Sequence, residues 1–85
     1  MNNAQQKTVE IYSTPTCHFC QMAKEYFTAH GIAYTNYDVA NDPEKRQDMI
    51  EKSGQMGVPV IIIDNKDLVV GFDQEHLAHL LGIAA

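Results

Sequence analysis

The chain has 85 residues, enough for one domain, read here as residues 1–85 with a core from about 8 to 83. Hydrophobic residues at 45% and charged residues at 20% exclude intrinsic disorder. A net charge of −5 sets the chain against phosphate backbones and so excludes nucleic acid as a partner. The longest apolar run, residues 58–63, is far short of the ~20 that a bilayer-spanning helix needs. No hydrophobic block of signal-peptide length opens the chain, so a cytoplasmic location is expected.

Residues 8–13 alternate Val9, Ile11 and Ser13 against Thr8, Glu10 and Tyr12, which predicts a strand. Thr14-Pro15-Thr16 breaks it, and residues 17–30 read as a helix. Ala23, Phe27 and His30 form its stripe, with Cys20, Met22 and Tyr26 beside it. Gly31 stops the helix, and Ile32 is placed to pack back on Phe27. Residues 33–39 form a second strand with Tyr37 and Val39 on one face.

Asp42 as N-cap and Pro43 at the first helical position start a second helix. It runs to about Ser53 with Met49 and Ile50 as a thin apolar face, a favourable Asp48–Lys52 pair, and Gly54 as its stop. Val60-Ile61-Ile62-Ile63 reads as a strand buried on both faces. Residues 64–67 form a hairpin turn and 68–70 the return strand. Asp73 caps a last helix, residues 74–82, with Leu77, Leu80 and Leu81 as its stripe and Gly82 as its stop. Met22, Met49 and Met56 are read as gap fillers. The order β-α-β-α-β-β-α predicts an α/β domain: a four-stranded mixed sheet with three helices.

Two cysteines, Cys17 and Cys20, are too few for a disulfide-stapled secreted scaffold. They sit where the first strand passes into the first helix. Unpaired backbone N–H groups and the positive dipole end favour a thiolate at Cys17 there. Cys20, one turn on, is placed to attack a mixed disulfide formed at Cys17. A zinc site wants four ligands, and His76 and His79 have two intervening residues rather than three to five, so redox use is preferred and no metal is expected. Val58-Pro59 reads by itself as a proline opening a strand in the common trans form. A cis peptide there would turn the Val58 carbonyl and N–H toward an extended ligand.

The segments TPTCHFC, GVPVIII and VVGFD, at these separations, resemble the glutaredoxin family of the thioredoxin superfamily over residues 8–83. The resemblance implies a thioredoxin-like fold and thiol–disulfide oxidoreductase activity, with Cys17 as nucleophile and Cys20 as resolving thiol. It also implies a cis Pro59, pairing of the Val58 main chain with a glutathione or peptide substrate, and a Gly71-Phe72-Asp73 loop at the γ-glutamyl end of glutathione. Thr16, His18, Phe19, Val58, Pro59, Gly71, Phe72 and Asp73 form the candidate substrate-binding set. No bound cofactor is expected, with glutathione a co-substrate.

Three positions depart from the family pattern. His18 replaces the proline after the first cysteine, Thr14 a basic residue, and Val70 the first glycine of a Gly-Gly pair. The segment Gly71-Phe72-Asp73-Gln74-Glu75 looks more like the small redoxins that serve ribonucleotide reductase and are recharged by thioredoxin reductase. Disulfide-containing proteins are the expected partners, with glutathione or thioredoxin reductase as the source of electrons. A monomer is the default. A third reading, of another class, is an iron–sulfur cluster carrier, which Cys20 argues against because such relatives usually keep one active-site cysteine.

Overall fold

The computed structural model describes residues 7–83. Seven elements follow in order: β1 (Val9–Ser13), α1 (His18–Ala29), β2 (Thr35–Asp38), α2 (Pro43–Ser53), β3 (Val60–Ile63), β4 (Asp67–Val70) and α3 (Gln74–Leu81). The strands form one mixed sheet in the order β2-β1-β3-β4. β1 runs parallel to β2, with Tyr12 opposite Tyr37, and antiparallel to β3, with Tyr12 opposite Val60. β3 and β4 pair as a hairpin, with Ile61 opposite Val69. The expected element order and mixed sheet are therefore present.

β1 is a central strand and is packed on both faces. Val9 and Ile11 join Ala23 and Phe27 of α1, Ile61, Ile63, Val69, and Leu77 of α3 in one cluster. Tyr12 lies on the other face with Val39, Met49 of α2, Val60 and Ile62. Full burial of such a side chain contributes about 1.5–3 kcal/mol, so the two clusters hold the helices to the sheet. α1 and α3 cover one face and α2 the other.

The helix ends follow local chemistry. Asp42 and Asp73 accept from the backbone N–H groups of Lys45 (3.1 Å) and His76 (3.2 Å). At the end of α1 the Ile32 N–H donates to the Phe27 carbonyl at 2.8 Å and the Gly31 N–H to Thr28 at 3.1 Å. That double bond pattern needs a left-handed residue, and Gly31 supplies it at φ 68°.

Some boundaries shift. Cys17 is the N-cap of α1 rather than its first helical residue. His30 is exposed at the helix end, its ring 4.6 Å from that of Tyr26, so the buried stripe is Cys20, Ala23 and Phe27. The hairpin turns at Asp64 and Asn65, both at φ 57°, and Asp67 already pairs with Ile63. Met56 is 70% exposed and fills no gap, whereas Met49 is fully buried.

A polar layer on the α2 side is the main feature that periodicity did not indicate. The Tyr12 hydroxyl donates to Asp48 at 2.6 Å, and Lys52 sits 3.3 Å from the same carboxylate oxygen. Burial, then the bond to Asp48, pushes the Tyr12 phenol well up, while the same bond holds the Asp48 carboxyl down. The Tyr37 hydroxyl donates to Glu10 at 2.8 Å, which raises the Tyr37 phenol, and Lys45 lies 4.2 Å from the centre of the Tyr37 ring.

Candidate functional site

Three segments meet at one end of the sheet. β1 ends there at Ser13 and leads through residues 14–16 to Cys17. β3 begins there after Pro59, and β4 ends there before Gly71. The Gly71 N–H donates to the Pro59 carbonyl at 2.8 Å, which joins the second and third segments. Gly71 holds φ 86°, a conformation that side-chain-bearing residues rarely adopt.

The loop before Cys17 is held on several sides. The Cys17 N–H donates to the Thr14 carbonyl at 3.2 Å, and the Gln21 side-chain amide to Pro15 O at 3.2 Å. Ser13, buried at the end of β1, donates from its hydroxyl to Asn36 Oδ1 at 2.6 Å, tying β1 to β2 where the loop departs. Ser13, Gln21 and Asn36 were not among the residues marked by sequence. Gln21 lies six positions after Pro15, a spacing that carries no motif.

Cys17 and Cys20 are disulfide-bonded, with Cα atoms 5.2 Å apart. Cys17 is partly exposed and Cys20 fully buried. Cys17 Sγ accepts the Cys20 backbone N–H at 3.1 Å. No acidic residue stands in the first turn of α1 to offset the positive end of the helix. A negative charge on Cys17 Sγ therefore has both a hydrogen-bond donor and the helix dipole beside it.

The other candidates fall around this pair in different settings. Thr16, His18 and Phe19 are exposed, and the His18 and Phe19 rings meet edge to face with centroids 5.7 Å apart. Phe19 is 57% exposed, a large apolar surface next to the sulfur. Pro59 is buried, Val58 half-buried, and the peptide between them is cis. Phe72 is half-buried against the core, its ring 5.8 Å from that of Tyr26. Asp73 is exposed and engaged as the cap of α3. Thr14 is half-buried and uncharged.

Of the two sulfur-bearing residues only Cys17 reaches the surface. A cavity lined by Lys7, His30, Gly31, Ile32, Ala33, Leu81 and Ile83 sits at the opposite end of the sheet, by the C-terminal ends of α1 and α3. Among the described residues no group of three or more His, Cys, Asp or Glu is arranged to hold a metal ion. No helix of the described residues is long and apolar enough to cross a membrane.

Comparison with known proteins gives a consistent result. The family model described as Glutaredoxin matches residues 9–69. A glutaredoxin-like 8.6 kDa protein in the rubredoxin operon of Clostridium pasteurianum is 41% identical over 73 residues, 86% of this chain and 96% of the relative. Glutaredoxin 3 of Escherichia coli is 38% identical over 56 residues, 66% of this chain and 68% of its own. In a crystal structure of a single-residue variant of the thioredoxin-like protein BC3987, the fold superposes with a TM-score of 0.83 at 32% identity, covering 89% of this chain and 96% of that one.

Proposed function

The chain belongs to the glutaredoxin family, and from that premise we propose that it reduces disulfides of partner proteins through both Cys17 and Cys20. The observation that carries the reading is the asymmetry of the pair: Cys17 is partly exposed at a helix N-terminus, and Cys20 is buried one turn below it.

The Cys17 thiolate attacks one sulfur of the partner's disulfide. A Cys17–partner disulfide forms, and the partner's other sulfur leaves as a thiolate that takes up a proton. Cys20, deprotonated, then attacks Cys17 Sγ. The Cys17–Cys20 disulfide forms and the second partner thiol is released. Two electrons pass to the partner. An external dithiol, or two molecules of glutathione, returns the pair to its reduced state. The Val58 main chain, beside Pro59, is the element we assign to hold the extended substrate. Phe19 supplies apolar contact next to the sulfur.

The source of electrons divides two readings. The family typically uses glutathione as co-substrate, and we take it as the first. The second is recharging by thioredoxin reductase, in service of a reductase such as that for ribonucleotides. Uncharged Thr14 and the engagement of Asp73 as a helix cap favour the second, since both weaken the case for a bound glutathione carboxylate or γ-glutamyl group. A reducing cytosol is the compartment that suits either.

The test is reductant choice. The oxidised protein is given NADPH with either glutathione and glutathione reductase, or thioredoxin reductase, and NADPH consumption and free thiols are followed. Recovery with glutathione alone establishes the first reading, and recovery with thioredoxin reductase alone the second. Recovery with neither overturns the function.

A further inference from the structure

The sheet has an open edge that reaches the dithiol end. β4 is one of the two outer strands. The Gly71 N–H to Pro59 O bond marks residues 59 and 71 as a hydrogen-bonded pair. Antiparallel pairs alternate, so the pairs 61/69 and 63/67 are bonded as well, and Leu68 and Val70 turn their N–H and C=O groups outward. Val69 is buried in the α1/α3 cluster, so the side chains of Leu68 and Val70 project on the α2 side. They are 37% and 48% exposed there. The same two residues therefore present free backbone groups and uncovered apolar side chains.

A groove beside them is lined by Lys52, Ile62, Asn65, Lys66 and Leu68. No acid lines this groove, and Asp67, next to Lys66, falls by strand alternation on the other face with Val69. Asp48 is held by Tyr12 and Lys52, and Asp64 accepts the Thr8 N–H at 3.0 Å. Lys66 has no ion-pair partner among the described residues. Lys66 is thus an unpaired cation lining the groove at the end of an apolar edge.

We propose that the β4 edge is a second substrate subsite. It takes an extended segment of the partner protein by strand addition, with apolar residues of that segment over Leu68 and Val70 and an acidic one at Lys66. The inference rests on the reading of the chain as a disulfide reductant. Geometry connects the two sites. β4 runs toward the dithiol end, and an added strand would lie three strand spacings from β1, about 14 Å. An extended linker of about four to five residues spans that distance. A second copy is the weaker occupant. Two chains of −5 repel, and a four-residue edge offers far less than the ~800 Å² per partner of a stable interface.

The probe is a peptide with the order Cys, a four-residue Gly-Ser linker, Val-Thr-Val-Thr and Asp, which sets the acid in register with Lys66, its thiol blocked as a mixed disulfide with thionitrobenzoate. Blocked cysteine alone is the control. Both are offered to the reduced full chain. The peptide is expected to react about tenfold faster than the control. Leu68→Lys should remove that preference and leave the control rate unchanged. Lys66→Glu should reverse it in favour of a peptide ending in Lys. Equal rates for peptide and control in the unmodified chain, or a preference that survives both variants, would overturn the subsite. So would a dimer in sedimentation that Leu68→Lys dissolves, which would assign the edge to a second copy. A peptide with serine in place of cysteine separates this inference from the function. If no reductant recharges the dithiol yet the Leu68 and Val70 amides still shift on titration, the edge stands and the functional reading falls.

Discussion

Replacing each cysteine in turn tests the roles at the level of a single hydrogen bond. Cys17 Sγ is partly exposed and accepts the Cys20 N–H at 3.1 Å at the start of α1. A hydrogen bond to a charged acceptor contributes about 1.5–3 kcal/mol, and a helix N-terminus about 0.3–1 kcal/mol. Sulfur is a diffuse acceptor, so the lower ends apply. Together they favour a thiolate at Cys17 by about 2 kcal/mol, or about thirtyfold. Cys20 has neither term and is fully buried. We predict that Cys20→Ser, reduced at neutral pH, is alkylated by iodoacetamide at least thirtyfold faster than Cys17→Ser, read as mass gain against time. Cys20→Ser should also accumulate a stable mixed disulfide with a substrate, whereas Cys17→Ser should be inert. Comparable alkylation of the two variants, or faster reaction of Cys17→Ser, would refute the assignment of the nucleophile.

Further outcomes follow from the rest of the structure. Tyr12→Phe removes the donor to Asp48 and should cost about 1–2 kcal/mol in urea unfolding, at the lower end for a charged acceptor because Asp48 still reaches water. Asp48 is held below its unfolded value, so its contribution is present above about pH 4 and lost as pH falls through the folded value. Tyr12→Phe should therefore flatten the acid limb of the stability curve, and an unchanged limb would show that the bond is not its source. Phe27→Ala opens the cluster beneath α1 and should cost about 3–5 kcal/mol, measured by thermal or urea unfolding of the oxidised protein. Asp73→Ala should lose about 1 kcal/mol of stability and Asp73→Asn nearly none, since asparagine also caps. If glutathione turnover falls in Asp73→Asn while stability holds, Asp73 contacts the tripeptide as well as capping α3.

The fold was legible wherever one residue type has one local solution. Pro43 after Asp42, and the glycines at 31, 54 and 82, fixed the helix ends because capping bonds and left-handed backbone are local demands. The run of Val60 and three isoleucines marked the doubly buried strand for the same reason. Tyr12 was less transparent. Alternation put it opposite Val9 and Ile11, and only the packing of α2 over that second face makes it a core. The Tyr12–Asp48–Lys52 layer joins positions 36 and 40 residues apart, a separation that no periodicity reports. At the candidate site, the cysteine spacing and its strand-to-helix setting were visible. The hydrogen bonds of Gln21, Ser13 and Asn36 that shape the loop were not, because each depends on where the chain returns.

The central place of β1 bears on how the molecule is made. It comes first among the described elements, yet Glu10, paired with Thr35 of β2, waits for Ile62, 52 positions later, to complete its second neighbour. Until β3 emerges, Ile11 and Tyr12 have at most one flanking strand, and the face that α2 will cover lacks Val60 and Ile62. A nascent chain ending before β3 thus carries Cys17 and Cys20 but no complete sheet to support them. Acquisition of the native arrangement is held back until β3 is available, and then the remaining non-local pairings close together.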